Sequence, residues 1–121
     1  MDLRSFLELL AREGELQRIR ASVDPKHEIG AICKILNERP GSPAVLFENV
    51  KGSAIPVVGQ LLASDKRVAM ALGLSQENVF DETVKRATSP IPPRLVTDGP
   101  CQEVIMEGEA VDVTKLPLCT N

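Results

Sequence analysis

Apolar positions near the start of the chain recur at the spacings of a helix and then of a strand. From Leu3 to Leu10 they fall at i, i+3, i+4 and i+7, which predicts an amphipathic helix. Asp2 is a suitable N-cap, and Gly14 can end the helix in a left-handed turn. Residues 15–23 then alternate imperfectly between apolar and charged side chains, which predicts a half-buried strand.

A second helix is predicted to begin with Asp24 as its cap and Pro25 in the first helical position. The apolar stripe of this helix repeats at helical spacing and comprises Ile29, Ile32, Cys33 and Leu36. Proline and glycine within 40–43 end the helix. The compact apolar run at 44–47 predicts a buried strand.

The same alternation of elements continues to residue 88. A short strand is predicted within 57–62, followed by a helix that Ser64 or Asp65 caps and that ends near Gly73. A further helix over 77–87 has one apolar side, formed by Phe80, Val84 and Ala87. Interleaved helices and strands predict an α/β or α+β fold, with a small mixed sheet flanked by helices.

The pattern changes after Thr88. Four prolines within eleven residues (90, 92, 93 and 100) make this stretch extended rather than helical. Two short strands are predicted at 103–106 and 110–113, joined by a turn at 107–109. We therefore divide the chain into an α/β N-terminal domain, 1–89, and a Pro-rich extended connector with strands, 90–121, that leads towards a further domain.

Composition excludes several classes of function. The 121 residues carry a net charge of −3 and include three Phe but no Trp or Tyr, so neither a basic surface nor a stacking platform for nucleic acid is expected. No apolar run approaches the length of a membrane span, and the charged N-terminus is unlike a secretory signal. Three cysteines without a CxxC pair favour a reducing, cytoplasmic compartment.

Few residues suggest chemistry. His27, the only histidine, is expected in a surface or capping role, because a metal site or a nucleophile–base pair needs further partners. Cys33 lies on an apolar stripe and is expected in the core. Cys101 and Cys119 lie in extended segments, where no neighbour in the sequence would activate a thiolate.

Charged clusters are interpreted as solvated surface. The acidic stretch near the C-terminus consists of Glu103, Glu107, Glu109 and Asp112. Its charges suit exposed edge strands. The basic pairs Lys66–Arg67 and Lys85–Arg86 are expected on helix surfaces, with an interface role as the alternative. Phosphate-binding glycine motifs are absent from the sequence, so the residues predict a soluble domain without its own active site.

Five segments, taken in order, resemble UbiD-like decarboxylases. They are MDLRSFLELLAREGELQRI at 1–19, VDPKHEIGAI at 23–32, PAVLFENVKGS at 43–53, PVVGQLLASDKRVAMALGL at 56–74 and PCQEVIMEGEAVDVTKLPL at 100–118. The third is the most specific, and the last is similar to the segment that leads into the family's cofactor domain. Together they cover nearly the whole chain.

The resemblance implies a longer parent enzyme that decarboxylates or carboxylates aromatic or α,β-unsaturated acids. In that family an N-terminal α/β domain packs beside a central flavin-binding domain, and homo-oligomers are common. The implied cofactor is prenylated flavin mononucleotide with a divalent metal (Mn²⁺) and K⁺, bound by the central domain. This chain is accordingly expected to bind no cofactor and to be inactive by itself, with a structural role.

The resemblance implies no catalytic, cofactor-binding or metal-binding residue within this chain. The family's Glu-Arg-Glu set and metal ligands lie further along, and Asn121 is not expected to be the metal-binding asparagine. Glu48 and Asn49 either face a neighbouring domain or satisfy their own turn.

The origin and the role of the chain both leave alternatives open. The chain is either a truncated piece of the parent or a small non-catalytic subunit that pairs with a separate catalytic chain, and its ending favours truncation. A stand-alone interaction module would instead use the predicted strands near 104–118 to add a strand to a partner. An independent small hydrolase has almost no support in the residues.

Overall fold

The computed structural model describes residues 2–120. Its regular elements, in chain order, are α1 (Leu3–Arg12), β1 (Leu16–Ile19), α2 (Glu28–Asn37), β2 (Ala44–Phe47), β3 (Val57–Gly59), α3 (Asp65–Leu72) and α4 (Val79–Thr88). Short 3-10 turns precede α4 and recur between residues 100 and 115. The class is α+β with a small mixed sheet, as the sequence predicts.

The sheet has three strands in the order β1-β2-β3. β1 pairs parallel with β2, and β2 pairs antiparallel with β3. A parallel pair needs a crossover connection, and α2 supplies it between β1 and β2. Because β2 has a neighbour on each side, its residues Ala44, Val45 and Phe47 are fully buried.

Alternation along β2 separates two apolar clusters. Val45 and Phe47 pack with the buried residues of α2, Ile29 and Leu36. Ala44 packs with Phe6 and Leu10 of α1, together with partly buried residues of α3. The sheet therefore carries α2 on one face and α1 with α3 on the other, as period-2 alternation requires.

Local signals fix the ends of α1 and α3. Asp2 accepts a hydrogen bond from the Ser5 N–H at 2.8 Å, and Ser64 accepts one from the Arg67 N–H. Gly73 ends α3 in the left-handed region, with φ of 66°. These caps match the sequence-based predictions, and residue 64 rather than 65 is the cap of α3.

Arg67 contradicts the prediction that the Lys66–Arg67 pair lies on a helix surface. Its side chain is only 1% exposed, although Lys66 beside it is well exposed. The guanidinium donates to the carbonyls of Leu61, Ser42 and Gln60 and to Glu15 Oε2, the last at 3.0 Å. It thereby joins the start of β1, the loop before β2 and the loop after β3, and this network has no sequence signal.

Four further predictions differ from the structure. The strand predicted over 15–23 covers only Leu16–Ile19. The helix predicted from Asp24 begins at Glu28, because the segment 24–27 forms turns instead. The strand predicted over 57–62 ends at Gly59, because the next residue, Gln60, has a positive φ of 55°. Within the described residues no strand forms at 103–106 or 110–113, where 3-10 turns and extended chain are found without a pairing partner.

We expect Arg67→Met to destabilise the protein by about 3–5 kcal/mol, because the carbonyls of Leu61 and Ser42 lose their donor and Gln60 O and the Glu15 carboxylate each lose one of two. Lys66→Met is the matched control, since Lys66 contacts the same Glu15 carboxylate from an exposed position. It should cost less than about 1 kcal/mol. Urea denaturation measures the free energy of unfolding of both variants. Equal effects of the two substitutions would contradict the assigned role of Arg67.

Glu15 should make stability depend on pH. Its pKa is lowered, first by the hydrogen bond from Lys66 and then by that from Arg67. A lowered folded-state pKa contributes stability that is present above the unfolded value, 4.5, and lost as pH falls through the folded value. The stability difference between wild type and Glu15→Gln should therefore shrink between about pH 7 and about pH 3. A difference that is constant across this range would refute the linkage.

Candidate domain interface

The segment 91–118 exposes a concentration of large apolar side chains. Those at least about half exposed are Ile91, Leu95, Val96, Val104, Ile105, Met106, Val111, Val113, Leu116 and Leu118. Ile91 and Leu95 are 89% and 94% exposed, although the same residue types are buried in the two clusters at the sheet. Isolated apolar residues on a surface are ordinary, but ten large exposed apolar side chains within one segment indicate a surface that another body covers.

The backbone of this segment is unsuited to strand pairing. Its four prolines remove donors, and its remaining order consists of single 3-10 turns. One of these turns begins at Asp112, whose carboxylate accepts from the Thr114 N–H at 3.0 Å and from its hydroxyl. The segment therefore offers side chains rather than a free strand edge.

The end of the segment returns to the α/β core. The Thr120 N–H donates to Pro25 O at 3.3 Å, and the His27 N–H donates to Thr120 O at 3.0 Å. Residues 113–120 thus lie beside Pro25 and the Lys51–Ser53 turn, leaving a cavity of about 340 Å³ between them. The contact anchors one end of the apolar segment.

A second uncovered apolar surface lies on α4. Phe80 is 76% exposed and Val84 about half exposed. A cavity of about 280 Å³ lies beside Phe80, between α3 and α4. The apolar side predicted for this helix exists, but the described residues do not cover it.

The histidine and the cysteines that the sequence suggested for chemistry have different positions and contacts in the structure. His27 is exposed at the start of α2, and its imidazole makes no capping bond. Cys33 packs against the core, where burial raises the pKa of its thiol and the nearby Cys119 adds to the rise. Cys101 and Cys119 are exposed, and all three thiols are free. A raised pKa disfavours the thiolate, so it gives no support to a nucleophilic role for Cys33.

Glu48 and Asn49 serve their own turn and the neighbouring strand. Glu48 pairs with Arg18 at 2.7 Å and with Arg20 at 3.3 Å, and the Arg18 hydrogen bond lowers its pKa. Asn49 O accepts from the Val23 N–H. A carboxylate held ionised by two guanidinium groups is a poor general base, so the prediction of a cleft-facing role gains no support from these contacts.

The charged clusters lie on the surface as predicted, apart from Arg67. Lys85 and Arg86 are exposed; Lys85 pairs with Glu82, and Arg86 donates to Leu72 O. The acidic residues from 103 to 112 are likewise exposed.

Residues 2–120 contain no group of three or more His, Cys, Asp or Glu side chains placed to hold a metal ion. Asn121, considered and set aside as a metal ligand, lies outside the described residues. No described helix is long and apolar enough to cross a bilayer. The exposed apolar side chains of this part of the chain support contact with another protein body.

Sequence reasoning assigned the apolar segment to strands and so missed its most informative property. The signal was available: the segment combines many large apolar residues with prolines throughout. Such a stretch has no partner within a small sheet. The strands that a stand-alone interaction module would use near 104–118 do not form in the described residues, and this alternative is not favoured.

Comparison with known proteins shows which enzymes contain a similar region. Residues 7–87 match the family described as 3-octaprenyl-4-hydroxybenzoate carboxy-lyase N-terminal domain. The UbiD-class enzyme HmfF from Pelotomaculum thermopropionicum, in an evolved dimeric form with prFMN, is 36% identical over 98% of this chain, with a TM-score of 0.86. The Sedimentibacter hydroxybenzoicus vanillic acid decarboxylase in its open form is 34% identical over 89%, with a TM-score of 0.78.

A more distant structure has the same fold. The 3,4-dihydroxybenzoic acid decarboxylase of Klebsiella pneumoniae is 26% identical over 76% of this chain, with a TM-score of 0.63. The chain spans only 27%, 25% and 21% of these three proteins. In each of them the matched region is thus part of a larger enzyme. The chain belongs to the UbiD family and carries its N-terminal domain.

Proposed function

We propose that the protein containing this chain is a prenylated-flavin-dependent (de)carboxylase of aromatic or α,β-unsaturated carboxylic acids. The observation that carries the proposal is the match over 98% of the chain to HmfF in complex with prFMN. Two further relatives that act on aromatic acids, vanillic acid and 3,4-dihydroxybenzoic acid, support the substrate class. The whole protein would release or add carbon dioxide at such an acid.

Within that enzyme this chain has a structural role. The described residues offer no metal cluster, and their carboxylates at 15 and 48 are held by cations, so they do not fit a flavin phosphate with its metal ion. The prenylated flavin, Mn²⁺ and K⁺ would be bound by a central flavin-binding domain. We assign 1–89 to the N-terminal domain and 90–121 to the connector whose apolar side chains pack against that flavin domain.

Two other properties belong to the same proposal. Three free thiols, one of them half-buried in the core, suit a reducing compartment, so we place the enzyme in the cytoplasm. We also propose a homo-oligomer, because the uncovered apolar side of α4 is separate from the connector and can serve a different contact. The alternative of a small non-catalytic subunit is not favoured, because the relatives carry this region within longer chains.

Decarboxylation by the full-length protein tests the activity. We expect protein produced in cells that make prenylated FMN to release carbon dioxide from at least one acid in a panel of hydroxybenzoic, furoic and cinnamic acids. Protein from cells that make only FMN is the control and should be inactive. A protein that binds prenylated FMN yet converts none of the panel would contradict the proposed substrate class; failure to bind any flavin would contradict the cofactor.

Leu95→Asp in the full-length protein tests the interface. Leu95 is 94% exposed in this chain, so an aspartate there leaves the α/β core unaffected but places a charge where the flavin domain is proposed to pack. We expect loss of flavin retention of about tenfold or more. Gln102→Asp adds the same charge to the same segment without removing apolar surface, and it should retain flavin. Equal behaviour of the two variants would refute the interface.

A further inference from the structure

The start of α2 combines a rare backbone conformation with a contact to the C-terminal segment. His27 has φ of 72° and ψ of −43°, and the Glu28 N–H donates to Lys26 O at 3.0 Å. A hydrogen bond between residues i and i+2 around a residue of positive φ defines the strained form of the γ-turn. Among the described non-glycine residues only His27 and Gln60 have positive φ.

The contact with Thr120 accounts for this strain. The left-handed backbone at His27 directs its N–H at Thr120 O, at 3.0 Å. Pro25 O accepts the Thr120 N–H in return, so residue 120 bridges the segment 25–27 in parallel with Lys26. Two hydrogen bonds thus hold the tail, which we define as residues 116–120, to the start of α2.

The sequence around this contact encodes a different conformation. Asp24 and Pro25 are the cap and first residue of a helix that would begin three residues earlier than α2 does. Part of that cap is already formed, since Asp24 Oδ1 accepts from the Lys26 N–H at 2.9 Å and Glu28 Oε2 accepts from the Asp24 N–H. Only the γ-turn at His27 separates the observed turn from a continuous helix.

The two conformations compete for the same carbonyl groups. In a helix starting at Pro25, Pro25 O would accept from the Ile29 N–H and Lys26 O from the Gly30 N–H. In the structure, Pro25 O accepts from Thr120 and Lys26 O accepts from Glu28. The γ-turn that accompanies the docked tail has a positive φ at His27, which a helix running through residue 27 does not allow, so the docked turn and the longer helix exclude each other.

We propose that residues 24–28 are a two-state element whose conformation reports whether the tail is docked. With the tail docked, His27 forms the γ-turn and α2 begins at Glu28. With the tail released, His27 relaxes to helical φ and α2 lengthens by three residues, about 4.5 Å. The tail comprises the C-terminal end of the apolar segment 91–118 together with residues 119–120, so the position of that end and the length of α2 change together.

Substitutions at His27 should shift the equilibrium between the docked and released states without removing the backbone N–H. Glycine adopts positive φ without steric cost, and a β-branched residue adopts it least readily. We expect His27→Gly to favour the docked state and His27→Val to favour the released state. His27→Ala is the matched control, because the imidazole makes no capping bond and alanine retains a Cβ.

Hydrogen exchange of the full-length protein, resolved to single residues by mass spectrometry with fragmentation, measures the tail at Thr120 and the start of α2 in one experiment. In His27→Val the Thr120 amide should exchange about fivefold or more faster than in wild type, and the Ile29 and Gly30 amides should exchange more slowly. His27→Gly should slow exchange at Thr120. His27→Ala should resemble wild type.

Changes of opposite sign at the two sites distinguish competition from general loosening. If Thr120, Ile29 and Gly30 all exchange faster in His27→Val, or if none of them changes, the two-state element does not exist. Thr120→Pro provides an independent arm should His27→Val fail to fold, because it removes only the donor to Pro25 O. It should protect Ile29 and Gly30, and unchanged exchange at both would overturn the proposal. These outcomes do not depend on flavin binding or decarboxylation.

Discussion

The arrangement of this domain depends on the hydrogen bonds that the Arg67 guanidinium donates. The sheet is small, and without Arg67 the carbonyls of Leu61 and Ser42 in the loops around β2 and β3 would lose their donor, while Gln60 O would keep only the Ala63 N–H. One side chain with a rigid fork of donors satisfies them together and adds the Glu15 carboxylate at the start of β1. Because a planar guanidinium accepts little distortion, these groups fix the position of α3 relative to the sheet. Apolar packing alone would not specify that position, since it has no direction.

The elements that sequence predicts well are those with local causes. Asp2 and Ser64 cap their helices, and the compact apolar run Ala44–Phe47 gives the buried strand β2. The network around Arg67 was not predictable, because its partners lie up to 52 residues away in sequence. Nor was the true start of α2, where a contact with Thr120 overrides the cap signal at Asp24. Tertiary contacts override local preference at such positions, which are where functional devices are expected.

The candidate interface presents a different problem for prediction. An apolar sequence between residues 91 and 118 indicates burial, and the natural assumption is burial within the same domain. Proline at four positions prevents that, because neither a helix nor an internal strand accepts it. The proposed covering body lies outside the described residues, so no local rule could identify it. The family match and the small share of each relative that this chain spans support the proposal that the segment packs against another domain.

The left-handed conformation of Gln60 has a consequence for the behaviour of nascent chains. It ends β3 after three residues, and the Gln60 amide then bonds to Ser42 and Cys33 O rather than continuing the ladder. On the other border of the sheet, β1 is four residues long and carries Arg18, with Arg20 just beyond it. Neither border presents a long, flat, uncharged strand, so polysomes crowded with partly synthesised copies offer little template for amyloid-like stacking.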